Sequence, residues 1–130
     1  KYGADNILLR YADVLLMYAE ALNEVSFSNS QSSEQAKALN RVHERAGLTP
    51  IDVTEATDKA AFRKLIEIER QKEFAYEGQR WFDEVRLGGA TEAALAEGHE
   101  IQDYQFVYPI PSSELERINN TKLLWQNTGY

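Results

Sequence analysis

Three glutamates form the pattern in this sequence that could do chemistry. Glu69, Glu73 and Glu77 follow one another at intervals of four residues, so a continuous helix would place their carboxylates on one face. Stacked carboxylates can bind a metal ion or act as a general acid and base. Three like charges one turn apart also repel one another, so compensating cations must lie close to them. Two interpretations follow: a metal or acid–base site, and a structural network of paired charges.

The charge balance around the glutamates favours the structural network. Residues 63–86 hold six basic and six acidic side chains, and charge networks often perturb one another without any catalytic role. Neither His43 nor His99 lies in a Glu-x-x-His or His-Glu-x-x-His motif, and we expect His43 at the surface or at a helix end. We predict no catalytic residue, no metal and no cofactor. The predicted network, which fastens the third helix to its neighbours, comprises Glu69, Arg70, Glu73, Glu77, Arg80, Asp83 and Arg86.

The two tryptophans offer a different kind of site. Trp81 and Trp125, with seven tyrosines, could stack against sugar rings, whose C–H faces are apolar while their hydroxyls need polar neighbours. Trp81 precedes Phe82 in an apolar pair between charges, which favours packing in the core. Trp125 lies in an irregular segment, where core packing and ligand binding are both compatible with the sequence. Trp125 is therefore the first candidate for a ligand contact, although the sequence assigns no ligand residue.

Length and composition exclude several classes of protein. A chain of 130 residues suits one domain with its own core. The absence of cysteine excludes disulfides, thiolate zinc sites and cysteine nucleophiles. The net charge of −7 argues against a nucleic-acid partner, whose phosphates call for a basic face. No apolar run approaches the ~20 residues that a membrane helix needs.

The hydrophobic periodicity of the first 47 residues predicts a helical hairpin. Apolar residues at spacings of three and four predict one buried face of a first helix, formed by Leu8, Tyr11, Leu15, Tyr18, Leu22 and Val25. A serine-rich loop follows, and Ser32 with Gln35 has the spacing of a capping box. The second helix then runs to Gly47, which suits the position after a helix end. Two helices joined by a short loop form the unit of many helical solenoids.

Shorter elements are predicted for the remainder. A third helix runs from Thr57 or Asp58 to about Tyr76, and Gly78 ends or kinks it. A short helix with Trp81 ends at Gly88-Gly89, and another covers residues 90–97. Alternating aromatic residues predict an extended segment at 103–108. A second capping box at Ser113 and Glu116 opens a last short helix, and the tail 119–130 is irregular but apolar enough to dock on the body.

Short motifs in the order of the chain resemble the C-terminal region of the SusD/RagB family. They span nearly the whole sequence: Leu9-Arg10-Tyr11-Ala12-Asp13-Val14-Leu15-Leu16, Tyr18-Ala19-Glu20-Ala21-Leu22-Asn23-Glu24, Ala38-Leu39-Asn40-Arg41-Val42, Arg45-Ala46-Gly47-Leu48, Glu69-Arg70, Glu73-Phe74-Ala75, Glu77-Gly78, Arg80-Trp81-Phe82-Asp83, Pro109-Ile110-Pro111 and Gln126-Asn127-Thr128-Gly129-Tyr130. Phe74 and Thr128 depart from residues that are common in the family, Leu and Pro. Each motif alone is weak, whereas the ordered set is specific.

The resemblance implies a fold and a function. Family members are lipoproteins on the outer face of the outer membrane, lie over a TonB-dependent (SusC-like) transporter, and help to deliver oligosaccharides or, in some members, peptides. The implied fold is mainly all-α, with tetratricopeptide-like helical hairpins, further helices and an irregular C-terminal tail. We expect residues 1–130 to form one domain, with the hairpin at about 6–47, the charged helix and the tryptophan-containing helix at about 57–88, and the tail at about 103–130.

The same resemblance implies a non-enzymatic scaffold. The lipid anchor and the N-terminal helices are expected outside residues 1–130, and the family's aromatic glycan contacts mainly outside them as well. We therefore expect this chain alone to bind glycans weakly or not at all. The alternative function is a tetratricopeptide-like module that binds a protein partner, for which sugar is irrelevant.

The carboxylate row predicts an absence of glycoside hydrolase activity. Hydrolases place two carboxyl groups on opposite sides of the scissile bond, ~5–9.5 Å apart, and raise the pKa of one of them. Glu69 and Glu73 would approach a sugar from one helix face only, beside arginines that keep both ionised. We expect no turnover of aryl-glycosides or natural oligosaccharides, with or without divalent cations. Turnover above that of a Glu69→Gln/Glu73→Gln double variant would contradict the non-enzymatic interpretation.

Overall fold

Six α-helices and one short 3-10 helix make up the regular secondary structure of residues 8–130, which this computed structural model describes. The α-helices are α1 (Tyr11–Val25), α2 (Glu34–Arg45), α3 (Lys59–Glu73), α4 (Arg80–Leu87), α5 (Ala90–Ala96) and α6 (Ser112–Ile118), and the 3-10 helix spans Asp103–Phe106. Over these residues there is no β-strand, and the all-α prediction is confirmed. None of the described helices is long and apolar enough to cross a membrane.

The chain divides into two compact units, residues up to Arg80 and Trp81–Tyr130. The first contains α1, α2 and α3, and the second contains nearly all of α4 and everything after it. The prediction that residues 1–130 form one domain stays a prediction. The start of the predicted hairpin near residue 6 lies outside the described residues.

The core of the first unit is a three-helix contact. α1 contributes Leu16 and Ala19, α2 contributes Leu39 and α3 contributes Phe62 and Ile66, all fully or almost fully buried. Burying one side chain of the size of Leu, Ile or Phe stabilises a fold by about 1.5–3 kcal/mol. The α1–α2 hairpin was predicted from periodicity, and α3 packs against both of its helices.

The buried face of α1 is not the predicted one. The predicted face is largely solvent-exposed, with Leu8 at 89% and Val25 at 84% exposure. The buried positions are Asp13, Leu16, Ala19 and Asn23. Hydrophobic periodicity could not identify this face, because two of its four buried residues are polar. Both have tertiary partners: Asp13 accepts a hydrogen bond from Arg70, and Asn23 donates to the Lys59 carbonyl.

Side-chain caps fix the starts of α2 and α3. The Ser33 hydroxyl accepts from the Ala36 N–H, so the cap lies one residue after the predicted Ser32. Gly47 follows α2 at a φ of +80°, as predicted. The Asp58 carboxylate accepts from the Ala61 N–H at 2.8 Å and starts α3. These contacts satisfy amides that a helix start leaves without partners.

α3 ends earlier than predicted. The helix stops at Glu73, Phe74 is its C-cap, and Tyr76 has a left-handed φ of +66°. The prediction ran to about Tyr76 because Gly78 was the first recognisable stop signal. A tertiary contact ends the helix instead: the Glu73 carbonyl, which a longer helix would bond internally, accepts from the Arg10 guanidinium at 2.7 Å.

In the second unit, polar side chains organise residues 102–130. Gln102 and Gln105 cap each other, so residues 103–106 form a 3-10 helix where an extended segment was predicted. Gln126 binds both the N–H and the carbonyl of Ile110, at 2.7 and 2.9 Å. α6 starts at Ser112 after Pro111, so Ser113 is not its cap. The tail thus docks through amide hydrogen bonds on the segment before α6.

Candidate functional site

Arg10 is the centre of the charge network, and the sequence did not identify it. Its guanidinium forms a two-point ion pair with Glu77, at 2.7 and 3.0 Å, and contacts a Glu73 carboxylate oxygen at 2.5 Å. It also lies over the Phe74 ring, 4.8 Å from the ring centre, a favourable cation–π distance. Hydrogen bonds to Glu77 and then Glu73 raise the pKa of Arg10 above its usual value. Arg10 therefore fastens the start of α1 to the end of α3.

Glu73 connects two arginines from different helices. Its carboxylate, only 7% exposed, also accepts from Arg45 at 2.6 and 2.7 Å. Burial alone would raise the pKa of Glu73, but hydrogen bonds from Arg10 and Arg45 outweigh it and lower the pKa below its ordinary value of 4.5. Glu73 is therefore held ionised, as a link between α1, α2 and α3.

A second ion pair joins α1 and α3 deeper in the unit. Arg70 contacts Asp13 at 2.7 Å, with side-chain exposures of 6% and 11%, and also donates to the amide oxygen of Gln79. The Arg70 guanidinium lies 5.0 Å from the Phe74 ring centre, on which Arg10 also lies. Because both charges are buried, each needs the other to offset the loss of water.

Glu69 contacts His43, which the sequence did not predict as its partner. His43 was expected at the surface or at a helix end, yet it is buried and its Nδ1 lies 2.7 Å from a Glu69 carboxylate oxygen. The pair connects α2 with α3. His43 lies on the buried face of α2 with Leu39 and Val42. Its spacing from these two apolar residues could have predicted that it is buried.

The three glutamates do not form one site. Glu77 lies beyond the end of α3, so the expected row of three carboxylates on one helix is wrong. Glu69 contacts His43, Glu73 contacts Arg10 and Arg45, and Glu77 contacts Arg10. Among residues 8–130, no three His, Asp or Glu side chains come together as a metal site. The arrangement suits structural linkage and offers no open carboxyl pair for acid–base chemistry.

The other members predicted for the network lie around α4. Asp83 and Arg86 pair with each other at 3.1 Å one turn apart, and Arg80 is the first residue of α4. Glu69, Arg70, Glu73 and Glu77 are brought together in the first unit by Arg10, Asp13, His43 and Arg45, which the sequence analysis missed. Those partners are 26 to 67 residues away in the chain, beyond the reach of any spacing rule.

Two open cavities lie against the α1–α2 hairpin. They have volumes of about 500 and 460 Å³ and share Tyr11, Leu15 and Arg41 in their walls. The Arg41 guanidinium donates to the Tyr11 hydroxyl at 3.3 Å and lies 5.2 Å from the centre of that ring. Tyr18 and Lys37 line the second cavity. Because the two cavities share Tyr11, Leu15 and Arg41, they are together called the hairpin groove, which Glu34 also lines.

The two tryptophans have different surroundings. Trp81 is half-buried and stacks on Phe106, with ring centres 6.2 Å apart and planes 12° from parallel. Trp125 is 66% exposed and lines a cavity of about 620 Å³.

Comparison with known proteins shows the family of this chain. The model of the SusD family matches residues 1–130. The chain belongs to the SusD family. It is 38% identical to SusD-like protein P2 of Formosa agariphila and 36% identical to SusD-like protein P38 of the same organism, in each case over 95% of the chain. These alignments cover 26% and 24% of the two relatives, so this SusD-family chain spans about a quarter of their length.

Replacing Glu73 by Ala tests whether the network carries stability. The variant removes the carboxylate that Arg10 and Arg45 share. Because Arg10 keeps Glu77 and Arg45 is 62% exposed, the free energy of unfolding should fall by about 1.5–3 kcal/mol. Urea denaturation at pH 7 measures it. Glu34→Ala is the matched control, because Glu34 pairs with Lys37 at the surface, and it should cost less than ~1 kcal/mol.

The difference in unfolding free energy between the parent and Glu73→Ala should depend on pH, which provides a second check. Since the folded-state pKa of Glu73 is lowered, its stabilisation is present above about pH 4.5 and is lost as the pH falls through the folded-state value. The gap between parent and variant should therefore shrink in acid. A Glu73→Ala protein as stable as the parent at pH 7 would mean that the network is only a surface feature.

Proposed function

We propose that this chain is the scaffold part of a non-enzymatic cell-surface protein that binds nutrients, chiefly oligosaccharides. The observation that carries the proposal is the family match over residues 1–130, reinforced by two relatives above one-third identity. The parent protein would be a lipoprotein of the outer membrane that works with a TonB-dependent, SusC-like transporter. The chain would then hold the ligand-binding parts of the parent in place.

The geometry of the first unit supports a scaffold. The buried Arg70–Asp13 ion pair connects α3 to α1, and the buried His43–Glu69 hydrogen bond connects α3 to α2. Both contacts require a fixed register, because a shifted helix would leave buried polar groups without partners. Each of the three carboxylates that could have served catalysis already has a partner: Glu73 and Glu77 contact arginines, and Glu69 contacts His43. A rigid three-helix body of this kind suits binding and support rather than bond cleavage.

A tetratricopeptide-like protein-binding module is the second candidate. The hairpin groove favours it, because Tyr11 and Tyr18 supply aromatic area and Arg41 supplies a guanidinium. Lys37 also lines the groove, but its ammonium pairs with Glu34. Aromatic and arginine side chains are enriched at protein interfaces. In that case the ligand would be a peptide segment with acidic residues.

Binding measurements on the complete gene product discriminate between the two. Calorimetry with oligosaccharides from starch, xylan and host glycans should give saturable binding to at least one of them, unchanged by a metal chelator. Pull-down from mild detergent extracts should recover a TonB-dependent transporter. Absence of any sugar binding, together with capture of a protein that is lost in a Tyr18→Ala/Arg41→Ala variant but not in Tyr76→Ala, would favour the module instead.

A further inference from the structure

The second unit contains an open cavity beside Trp125. Its volume is about 620 Å³, and its walls come from the end of α6 and the segment after it: Leu115, Asn119, Asn120, Thr121, Lys122, Leu124, Trp125 and Gln126. A cavity of this size accommodates one or two sugar rings, since small-molecule sites usually measure ~300–1,000 Å³. None of these lining residues belongs to the charge network of the first unit.

Trp125 supplies a large apolar face to this cavity. Two-thirds of its surface is exposed, whereas Trp81 of the same unit stacks on Phe106. Tryptophan is seldom left this open, because its indole gains more free energy on burial than most side chains. In this chain the indole face is open to a ligand, and its N–H adds a hydrogen-bond donor at the edge of the ring.

The backbone around Trp125 is held in place by hydrogen bonds. On one side, the N–H groups of Leu123 and Leu124 donate to the Asn120 carbonyl, both at 3.0 Å. On the other side, Gln126 forms its two hydrogen bonds with Ile110, and Asn127 donates to the Tyr108 carbonyl at 2.6 Å. A ring presented on a fixed backbone loses little conformational entropy when a ligand binds.

Polar residues line the same cavity as Trp125. Asn119 has a left-handed backbone (φ 42°), its N–H donates to the Leu115 carbonyl, and its side chain lines the cavity. Thr121 adds a hydroxyl and Lys122 an ammonium, and Asn120 adds a carboxamide whose oxygen already accepts from the Lys122 N–H at 3.0 Å. Amides both donate and accept hydrogen bonds, as sugar hydroxyls do, and an ammonium donates to oxygen.

We propose that the Trp125 cavity binds a pyranose unit of an oligosaccharide. A pyranose ring has an apolar C–H face that stacks on indole and a periphery of hydroxyls that the amides and the ammonium can bind. An aliphatic ligand would leave those polar groups without hydrogen-bond partners. The proposal rests on the proposed function, to which it adds a ligand site and a residue.

The site should be weak. One aromatic face and an open cavity contact only one side of a sugar, so a dissociation constant in the millimolar range is expected, on the order of −4 kcal/mol. Such affinity agrees with the expectation that this chain alone binds glycans weakly. In a longer protein that binds the same oligosaccharide at another site, the cavity would act as a secondary site. Binding at the first site would raise the effective concentration of the sugar at the cavity.

Nuclear magnetic resonance of the complete gene product tests the site. Tryptophan is labelled with ¹⁵N at the indole, and the Trp125 signal is identified by its absence from Trp125→Phe. Oligosaccharides from starch and xylan are titrated, and calorimetry measures total binding. The Trp125 signal should shift saturably, and Trp125→Ala should weaken binding at this site by about tenfold or more, from loss of the buried apolar area. Trp125→Phe should retain part of it.

Leu123→Ala is the matched control, since Leu123 is 72% exposed in the same tail but does not line the cavity. It should leave the titration unchanged. If the parent binds an oligosaccharide while the Trp125 signal stays still and Trp125→Ala titrates like the parent, this site is disproved and the proposed function stands. If the parent binds no oligosaccharide by calorimetry, the proposed function fails, and the site fails with it.

Discussion

The guanidinium of Arg10 is the contact on which the first unit depends. It binds the carboxylates of Glu73 and Glu77 and the Glu73 carbonyl, and it covers the Phe74 ring. A cation at the C-terminal end of a helix is favourable, because the last carbonyls carry partial negative charge. Arg10 is also the residue directly before α1, so one side chain sets the end of α3 relative to the start of α1. The left-handed Tyr76 follows from this arrangement, since the chain must turn to bring Glu77 back to Arg10.

Further polar pairs, two of them buried, extend the same constraint across the unit. Asp13–Arg70 joins α1 to α3, His43–Glu69 joins α2 to α3, and Glu73 is shared by arginines from both sides. Buried pairs add little net stability compared with apolar packing, but a misaligned helix leaves a charge unpaired and is strongly disfavoured. The apolar core formed by Leu16, Leu39 and Phe62 supplies cohesion, and the charges supply register. A unit built in this way is suited to carrying other parts of a binding protein.

The sequence predicted the secondary-structure elements better than it predicted the tertiary contacts. The hairpin, the Asp58 and Gly47 boundaries and the helix containing Trp81 follow from periodicity and capping, which are local. The buried face of α1 could not be predicted, because Asp13 and Asn23 are polar residues whose partners lie far along the chain. The end of α3 was missed for the same reason, since Arg10 is 63 residues from Glu73. The carboxylates themselves were recognised as compensated charges, whereas their actual partners required the tertiary structure. Trp125 was singled out from the sequence, but only the cavity and the hydrogen bonds around it make it a candidate site.

The backbone of Tyr76 in an Arg10→Met variant tests this account most directly. Methionine keeps most of the apolar stem and removes the guanidinium that occupies the Glu73 carbonyl. The account predicts that α3 then extends toward Gly78, because the carbonyl becomes free to accept from the Glu77 N–H and the left-handed φ of Tyr76 is unfavourable without compensation. The ¹³Cα shift and the three-bond HN–Hα coupling of Tyr76 should change to helical values, while Arg41→Met leaves them unaltered. A left-handed Tyr76 that persists in folded Arg10→Met would contradict the account.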